Sequence, residues 1–300
     1  MKIYSIIATF NAMHNDWINR CLSSLRDSTV KTIPIVVDNC STDGTREFVP
    51  TQYPEVVWLP QNKNLGFGQA NNIGIRYALE NNADYVLLLN QDASLHKEAI
   101  RYMLEASDGT SLISPLHLNG KGSGFDNIFR LYSLPLNSGI LEDLLINDSM
   151  AISYESGEIC AACWFMPISI IEKIGGFNPI FFHYCEDNNY YHRMRYHGIK
   201  TLLVPRAKMF HDRVYYGNEQ AFNHQQLKRQ LTLIACNINN SFSQCIKDFL
   251  KQLSICYRRK LLHGKYFPGS FLYEILMLLF KTNRILESRT KEKEKTKNWL

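Results

Sequence analysis

Short apolar runs alternate with stretches of helical period through the first half of the chain. Residues 3–9, 35–37, 56–59, 85–89 and 112–114 are compact and apolar, as strands covered on both faces must be. Between them, residues 17–25 repeat apolar side chains at spacings of three and four, 42–48 open behind a Ser and Asp cap, and 71–80 and 97–105 complete the helices. Strands separated by helices of this length need right-handed crossovers, so the predicted fold is α/β: a Rossmann-like, mostly parallel central sheet with helices on both faces. In such a sheet ligands bind beyond the carboxyl ends of the strands, which directs attention to the residues that follow each run.

From 119 to 154 the periodicity is lost, and Gly120, Gly122 and Gly124 are spaced by single residues, the mark of a long excursion over the site. Order returns with a strand over 159–166, a short helix over 169–174 stopped by Gly175-Gly176, a helix over 187–197, and a strand over 201–204 that ends at a turn at Pro205. Beyond Gln225 the chain reads as helices. The expected organisation is a catalytic domain over 1–223 and a basic helical extension over 224–300, whose last stretch, 291–297, has no apolar face and is expected to fray.

Composition narrows the class. With 45% hydrophobic and 20% charged residues in 300, the chain is neither disordered nor a disulfide scaffold. Of the net +5, residues 224–300 contribute 15 Lys and Arg against 5 Asp and Glu, which leaves an acidic body and argues against nucleic acid as a partner. Met1-Lys2-Ile3-Tyr4 enters a strand directly, so no leader is expected, and the eight scattered cysteines read as reduced thiols of a cytoplasmic protein. Cys160-Ala-Ala-Cys163 has the spacing of a metal knuckle, but no second such pair completes it.

The strand ends are polar. Thr9-Phe10-Asn11 follows the first run and Asp38-Asn39-Cys40-Ser41-Thr42-Asp43 the second; a carboxylate there can accept from a base N–H, and the next amides and hydroxyls can bond a ribose or cap a helix. Asn64-Leu65-Gly66-Phe67-Gly68, with Asn72 beyond it, departs from the dinucleotide fingerprint because Asn71 replaces the third glycine. The apolar run 85–89 stops at Asn90-Gln91-Asp92, where a bare acid wants a divalent cation bridging phosphates. Glu186-Asp187 stands behind the aromatic cluster 181–184 at a helix start, where the dipole favours charge and the rings limit water. A lone histidine, His211, follows the last strand.

These segments, in this order from Thr9 to His211 and including Gly175-Gly176-Phe177, resemble family 2 glycosyltransferases, inverting enzymes of the GT-A fold. The Asn-Gln-Asp segment is most similar to the rhamnosyltransferase-like bacterial branch. The resemblance implies Asp187 as catalytic base with Glu186 beside it. It also implies donor contacts from Thr9, Phe10, Asn11, Asp38, Asn39, Ser41, Asn64, Gly66, Asn72, Asn90 and Gln91, and a divalent cation, Mn2+ or Mg2+, on Asp92 and His211. Asn90 replaces the first acid of the family's Asp-x-Asp motif, which implies a loosely held ion. Trp164 and His183 are placed at the acceptor pocket, although core packing accounts equally well for Trp164. The implied donor is dTDP-rhamnose or a UDP-hexose, and the acceptor a glycan or lipid-linked glycan of bacterial surface polysaccharide (O-antigen or capsule). Two other readings stand beside this one: a nucleotidyltransferase, disfavoured because the first strand lacks a basic glycine loop, and a catalytically silent carbohydrate-binding scaffold, which need not keep Asp92 and Asp187.

The apolar run 271–280 is too short to cross about 30 Å of hydrocarbon. Flanked by Arg258-Arg259-Lys260 and Lys281, it fits either the inner membrane surface, for a peripheral protein, or a homodimer contact through the carboxyl-terminal helices.

Overall fold

A computed structural model describes residues 1–136, 138–213, 224–262 and 269–300. In chain order the elements are β1 (Ile3–Thr9), α1 (Trp17–Arg26), β2 (Ile33–Asp38), α2 (Thr45–Gln52), β3 (Val57–Pro60), α3 (Phe67–Glu80), β4 (Tyr85–Leu89), β5 (Ala93–Leu95), α4 (Ala99–Glu105), β6 (Leu112–Asn119), α5 (Ser138–Leu145), β7 (Tyr154–Ser156), β8 (Cys163–Pro167), α6 (Ile168–Ile174), α7 (Glu186–Tyr196), β9 (Thr201–His211), α8 (His224–Cys236), α9 (Phe242–Leu262) and α10 (Gly269–Lys293).

The strands lie in the order β3-β2-β1-β4-β8-β6-β9-β5, with β7 also on β9. β1, β2, β3 and β4 pair in parallel, as do β6 and β9, while β8, β5 and β7 run against them, so the sheet is mostly parallel as expected. Successive strand residues face opposite ways, and this sorts the apolar runs into two cores. Ile3, Ile7, Leu87 and Leu89 pack under α1, α2 and α4 with Leu22, Val49 and Met103. Tyr4, Ile6, Val86 and Leu88 pack under α3, α6 and α7 with Ile75, Ile171 and Tyr190. A slip of one residue in register would exchange the two sets, so the paired apolar faces lock the strand ends in place.

Two of the boundaries that differ from expectation do so for local reasons. α3 starts at Phe67, not 71, because Asn64 Oδ1 accepts from the Gly66 N–H (2.8 Å) and Gly66, at φ +80°, turns the chain into the helix. A Cβ at Gly66 would stand 1.8 Å from the Phe182 carbonyl oxygen, so only glycine lets the two loops meet. β9 does not stop at a turn at Pro205 but runs on to His211; the proline falls at a bulge, where pairing with β6 shifts register between Pro115 and Leu116.

In the carboxyl-terminal segment α8 and α9 pack through Leu227, Leu231, Phe249 and Leu253. The expected frayed end is corrected: Glu292 is 1% exposed within α10, and the last residues return to the body, with Leu300 against the second core. Buried polar partners hold what has no apolar face. The side chains of 271–280, on which the membrane or dimer reading rests, lie outside the described residues. Among the described residues no helix is long and apolar enough to cross a membrane, and no disulfide joins the cysteines.

Candidate active site

Thr9 and Asp38 end β1 and β2 in register. Asp38 is fully buried; its Oδ2 accepts from Arg46 Nε (2.8 Å) and from the Ser41 N–H (3.1 Å), and Thr9 Oγ1 donates to its Oδ1 (3.4 Å). Arg46, which also donates to the Gln61 carbonyl (2.6 Å), escaped the sequence reading because on α2 it looks like any exposed helical arginine. Asn39 Oδ1 accepts from the Leu65 N–H (3.2 Å), joining the β2 end to the glycine loop. Ser41 Oγ accepts from the Asn11 N–H (2.9 Å), and Asn11 Oδ1 from the Thr42 N–H (2.8 Å). Phe10 is exposed at the lip, its backbone gripped by Gln91, whose Oε1 accepts from the Phe10 N–H (2.7 Å) and whose Nε2 donates to the Phe10 carbonyl (3.2 Å). The structure thus commits the side chains of Asn11, Asn39, Ser41, Asn64 and Gln91 to building the wall. The donor assignment of Asn72 is corrected: its amide is spent on Phe177, accepting from the N–H (2.7 Å) and donating to the carbonyl (2.8 Å), well inside the second core.

Asp92 and His211 do meet. β5 and β9 pair Ala93 with His211, and Asp92 Oδ1 lies 3.2 Å from His211 Nε2. Burial works against charge on Asp92, but the His211 hydrogen bond and the charge of Arg213 outweigh it and hold the carboxyl below its ordinary range. Two residues escaped the sequence reading here. Asp126, in the excursion and 1% exposed, accepts from Arg213 Nε (2.9 Å) and sits 3.7 Å from His211 Nδ1; no periodic signal marks it.

This pair suits a divalent cation. Neighbouring ligands about 2.1 Å from an octahedral ion stand about 3 Å apart, close to the Asp92–His211 separation. Asn90 Oδ1, two residues before Asp92 in the chain, is buried without a partner. Among the described residues no third Asp, Glu, His or Cys joins the pair, so phosphate oxygens would have to complete the coordination.

Glu186 and Asp187 open α7. Burial raises the pKa of both, and for Glu186 the charge of Asp187 adds to it. Asp187 is partly relieved by the backbone N–H groups of Asn188 (2.9 Å) and Ala161 (3.5 Å), and by Arg213. Glu186, 5% exposed, leaves Oε2 without a partner. A third acid, Glu158, hydrogen-bonded by Asn188, joins them; burial, and then Asp187, push it up to about 7. Glu158 lies in an irregular stretch and had no sequence signal. Trp164 is corrected to core: it is 1% exposed, donates to the Ile159 carbonyl (3.1 Å) and stacks on Phe177. His183 is exposed on the loop before α7, its ring tilted against that of Tyr184 with centroids 4.1 Å apart.

Glycosyl transferase family 2 is matched over residues 5–174. The chain is 31% identical over 176 residues to the low-salt glycan biosynthesis hexosyltransferase Agl10 of Haloferax volcanii, a stretch covering 55% of this chain and 54% of that one, so it spans about half the length of that relative. It is 24% identical over 245 residues to the N-acetylglucosaminyl-diphospho-decaprenol L-rhamnosyltransferase of Mycobacterium tuberculosis, covering 72% of this chain and 78% of that one. Among solved structures, the mannosyltransferase PcManGT of Pyrobaculum calidifontis, in complex with GDP-Man and Mn2+, matches with a TM-score of 0.59 at 13% identity over 97% of this chain and 84% of that one, a likeness of fold.

Proposed function

Because this chain belongs to glycosyl transferase family 2, we propose that it is an inverting hexosyltransferase moving a sugar from a nucleoside-diphosphate donor to a hydroxyl of a glycan acceptor. The observation that carries this reading is the chain of contacts joining the two acids: the Asp212 N–H donates to the Asp92 carbonyl (2.9 Å), the adjacent Arg213 reaches Cys160 Sγ (3.6 Å), and the Ala161 N–H donates to Asp187 Oδ2 (3.5 Å). A metal-side acid and a base-side acid joined in this way are what a single displacement at a sugar diphosphate requires.

In this reading the nucleoside lies against Thr9–Asn11 and Asp38–Ser41, and the diphosphate faces Asp92 and His211. A divalent cation, Mn2+ or Mg2+, bound by that pair would neutralise the departing diphosphate. Asp187 accepts the proton of the acceptor hydroxyl as its oxygen bonds the anomeric carbon; the carbon–oxygen bond to the diphosphate breaks on the opposite face, and the configuration inverts. Glu186, with Oε2 buried and unpartnered, offers an acceptor to a second sugar hydroxyl, and His183, exposed on the loop before α7, is assigned to the acceptor side. The donor is dTDP-rhamnose or a UDP-hexose, and the acceptor a lipid-linked glycan of surface polysaccharide at the cytoplasmic face of the membrane. The named activity of the mycobacterial relative supports this choice.

The test is the thermal shift with dTDP, UDP and GDP, each with manganese and with EDTA, followed by turnover of the sugar form of whichever nucleotide binds. A metal-dependent shift and an inverted product are expected, with Asp187→Asn slowing transfer about 100- to 10,000-fold while nucleotide binding persists. Wild-type turnover by Asp187→Asn would overturn the base assignment, and no shift with any nucleotide would overturn the transferase reading.

A further inference from the structure

Asn189 and Arg193 of α7 and His197 at its carboxyl-terminal cap, spaced by four, form one stripe on the helix that begins with Glu186 and Asp187, and the end of the chain covers all three. Asn189 Nδ2 donates to Glu292 Oε1 (2.8 Å), the Trp299 ring lies over the Arg193 guanidinium (4.8 Å to its centroid), and His197 Nε2 donates to the Glu292 backbone carbonyl (2.8 Å). The same Oε1 of Glu292 accepts from Asn178 Nδ2 (2.6 Å), at the turn feeding the loop before α7. Arg193 closes that turn from the other side through the Ile174 and Gly176 carbonyls (2.7 and 2.5 Å). The Gly176 N–H donates to the Asn298 carbonyl (2.9 Å), and Gly175, at φ +74°, makes room: a Cβ there would stand 2.2 Å from that oxygen. Arg289, 5% exposed, fastens the far side of α10 to the Ala235, Asn237 and Asn240 carbonyls (3.1, 2.6 and 2.7 Å).

We propose that Glu292 is a positioning residue for the two acids at the head of α7, and that the carboxyl-terminal segment is the clamp that sets where Glu186 and Asp187 stand. The inference rests on the proposed function for the role of those acids. Its attachment point is telling: Asn189 is two residues past Asp187, in the first turn of the helix. Stability alone does not account for the cluster. Glu292 Oε2, Asn189 Oδ1 and Arg193 Nε are buried with no partner, and each such atom is a cost that an apolar contact would avoid. What a buried polar network does supply is a single arrangement.

The test removes that carboxylate. Glu292→Leu keeps a similar volume but leaves the Asn178 and Asn189 amides buried and unanswered, so it is expected to melt below the wild-type temperature. In the folded variant, amide exchange of 186–190 should quicken about tenfold or more while that of α3 stays unchanged. Turnover should fall about tenfold or more with the donor KM unchanged, because misplacement of a reacting group is paid in kcat. Glu292→Gln, which keeps an Oε1 acceptor, should restore most of both. Unchanged exchange and turnover in folded Glu292→Leu would overturn the proposal, as would kcat and donor KM falling in step. Should Glu292→Leu fail to fold, Asn189→Leu carries the same readings. If the wild-type protein turns over no donor, the transferase reading fails, and exchange at 186–190 decides the clamp by itself.

Discussion

His211 Nε2 stands 3.2 Å from Asp92 Oδ1, held there by the pairing of β5 with β9. Its other nitrogen, Nδ1, is 3.7 Å from Asp126 Oδ2, so one buried ring is strung between two carboxylates.

This arrangement predicts the metal dependence. Asp92→Asn should abolish the manganese-dependent thermal shift with nucleotide. His211→Ala should weaken manganese about 10- to 100-fold, or more, by calorimetry in the presence of the nucleotide diphosphate. Equal manganese affinity in His211→Ala would remove the histidine from the site.

Asp126 should act through two partners at once. It accepts from Arg213 and from the Phe129 N–H (3.0 Å), so Asp126→Ala leaves a guanidinium and a buried amide unanswered. The expected loss is about 2 kcal/mol or more in denaturant unfolding. Asp126→Asn, which keeps the Phe129 bond, should lose less stability while still weakening manganese about tenfold.

Asn72→Ala separates wall from ligand contact. With both amide groups spent on Phe177, the variant should lose about 2 kcal/mol of stability and leave the nucleotide affinity of the folded protein unchanged. A large fall in nucleotide affinity at unchanged melting temperature would return Asn72 to the donor site.

Glu158 makes stability depend on pH with a definite sign. Its pKa rises from 4.5 to about 7 on folding, burial being the main cause, so between those values the folded chain holds the proton more tightly and stability falls as pH rises. Glu158→Gln should therefore stabilise the protein above pH 7 and give little or no gain below pH 4.5, read from melting temperatures across that range. An equal gain at both ends would contradict the shift.

Much of this molecule was legible before folding because it is local. Ile3–Thr9 and Tyr85–Leu89 are apolar on both faces, which forces buried strands, and the polar residues after them fall at the carboxyl ends wherever the crossovers lead. Thr9, Asp38 and Asp92 stand at or just beyond strand ends for that reason, and the Glu186-Asp187 pair opens its helix where the sequence predicts one. Which of the amides face a ligand was not legible, since Asn72 and Gln91 read like any polar residue until the backbone they grip is in place. Arg46, Asp126, Glu158 and Arg213 likewise owe their roles to partners at 8, 87, 30 and 87 residues' separation. The carboxyl terminus shows the limit most plainly. Lys291–Lys297 has no apolar period, so by itself it reads as a solvated tail; Glu292 is buried only because Asn178 and Asn189 wait for it. Period and strand-end chemistry are properties of neighbours in sequence, and the sequence determined them. Burial of a charge depends on distant groups that answer it, and that only the tertiary structure decided.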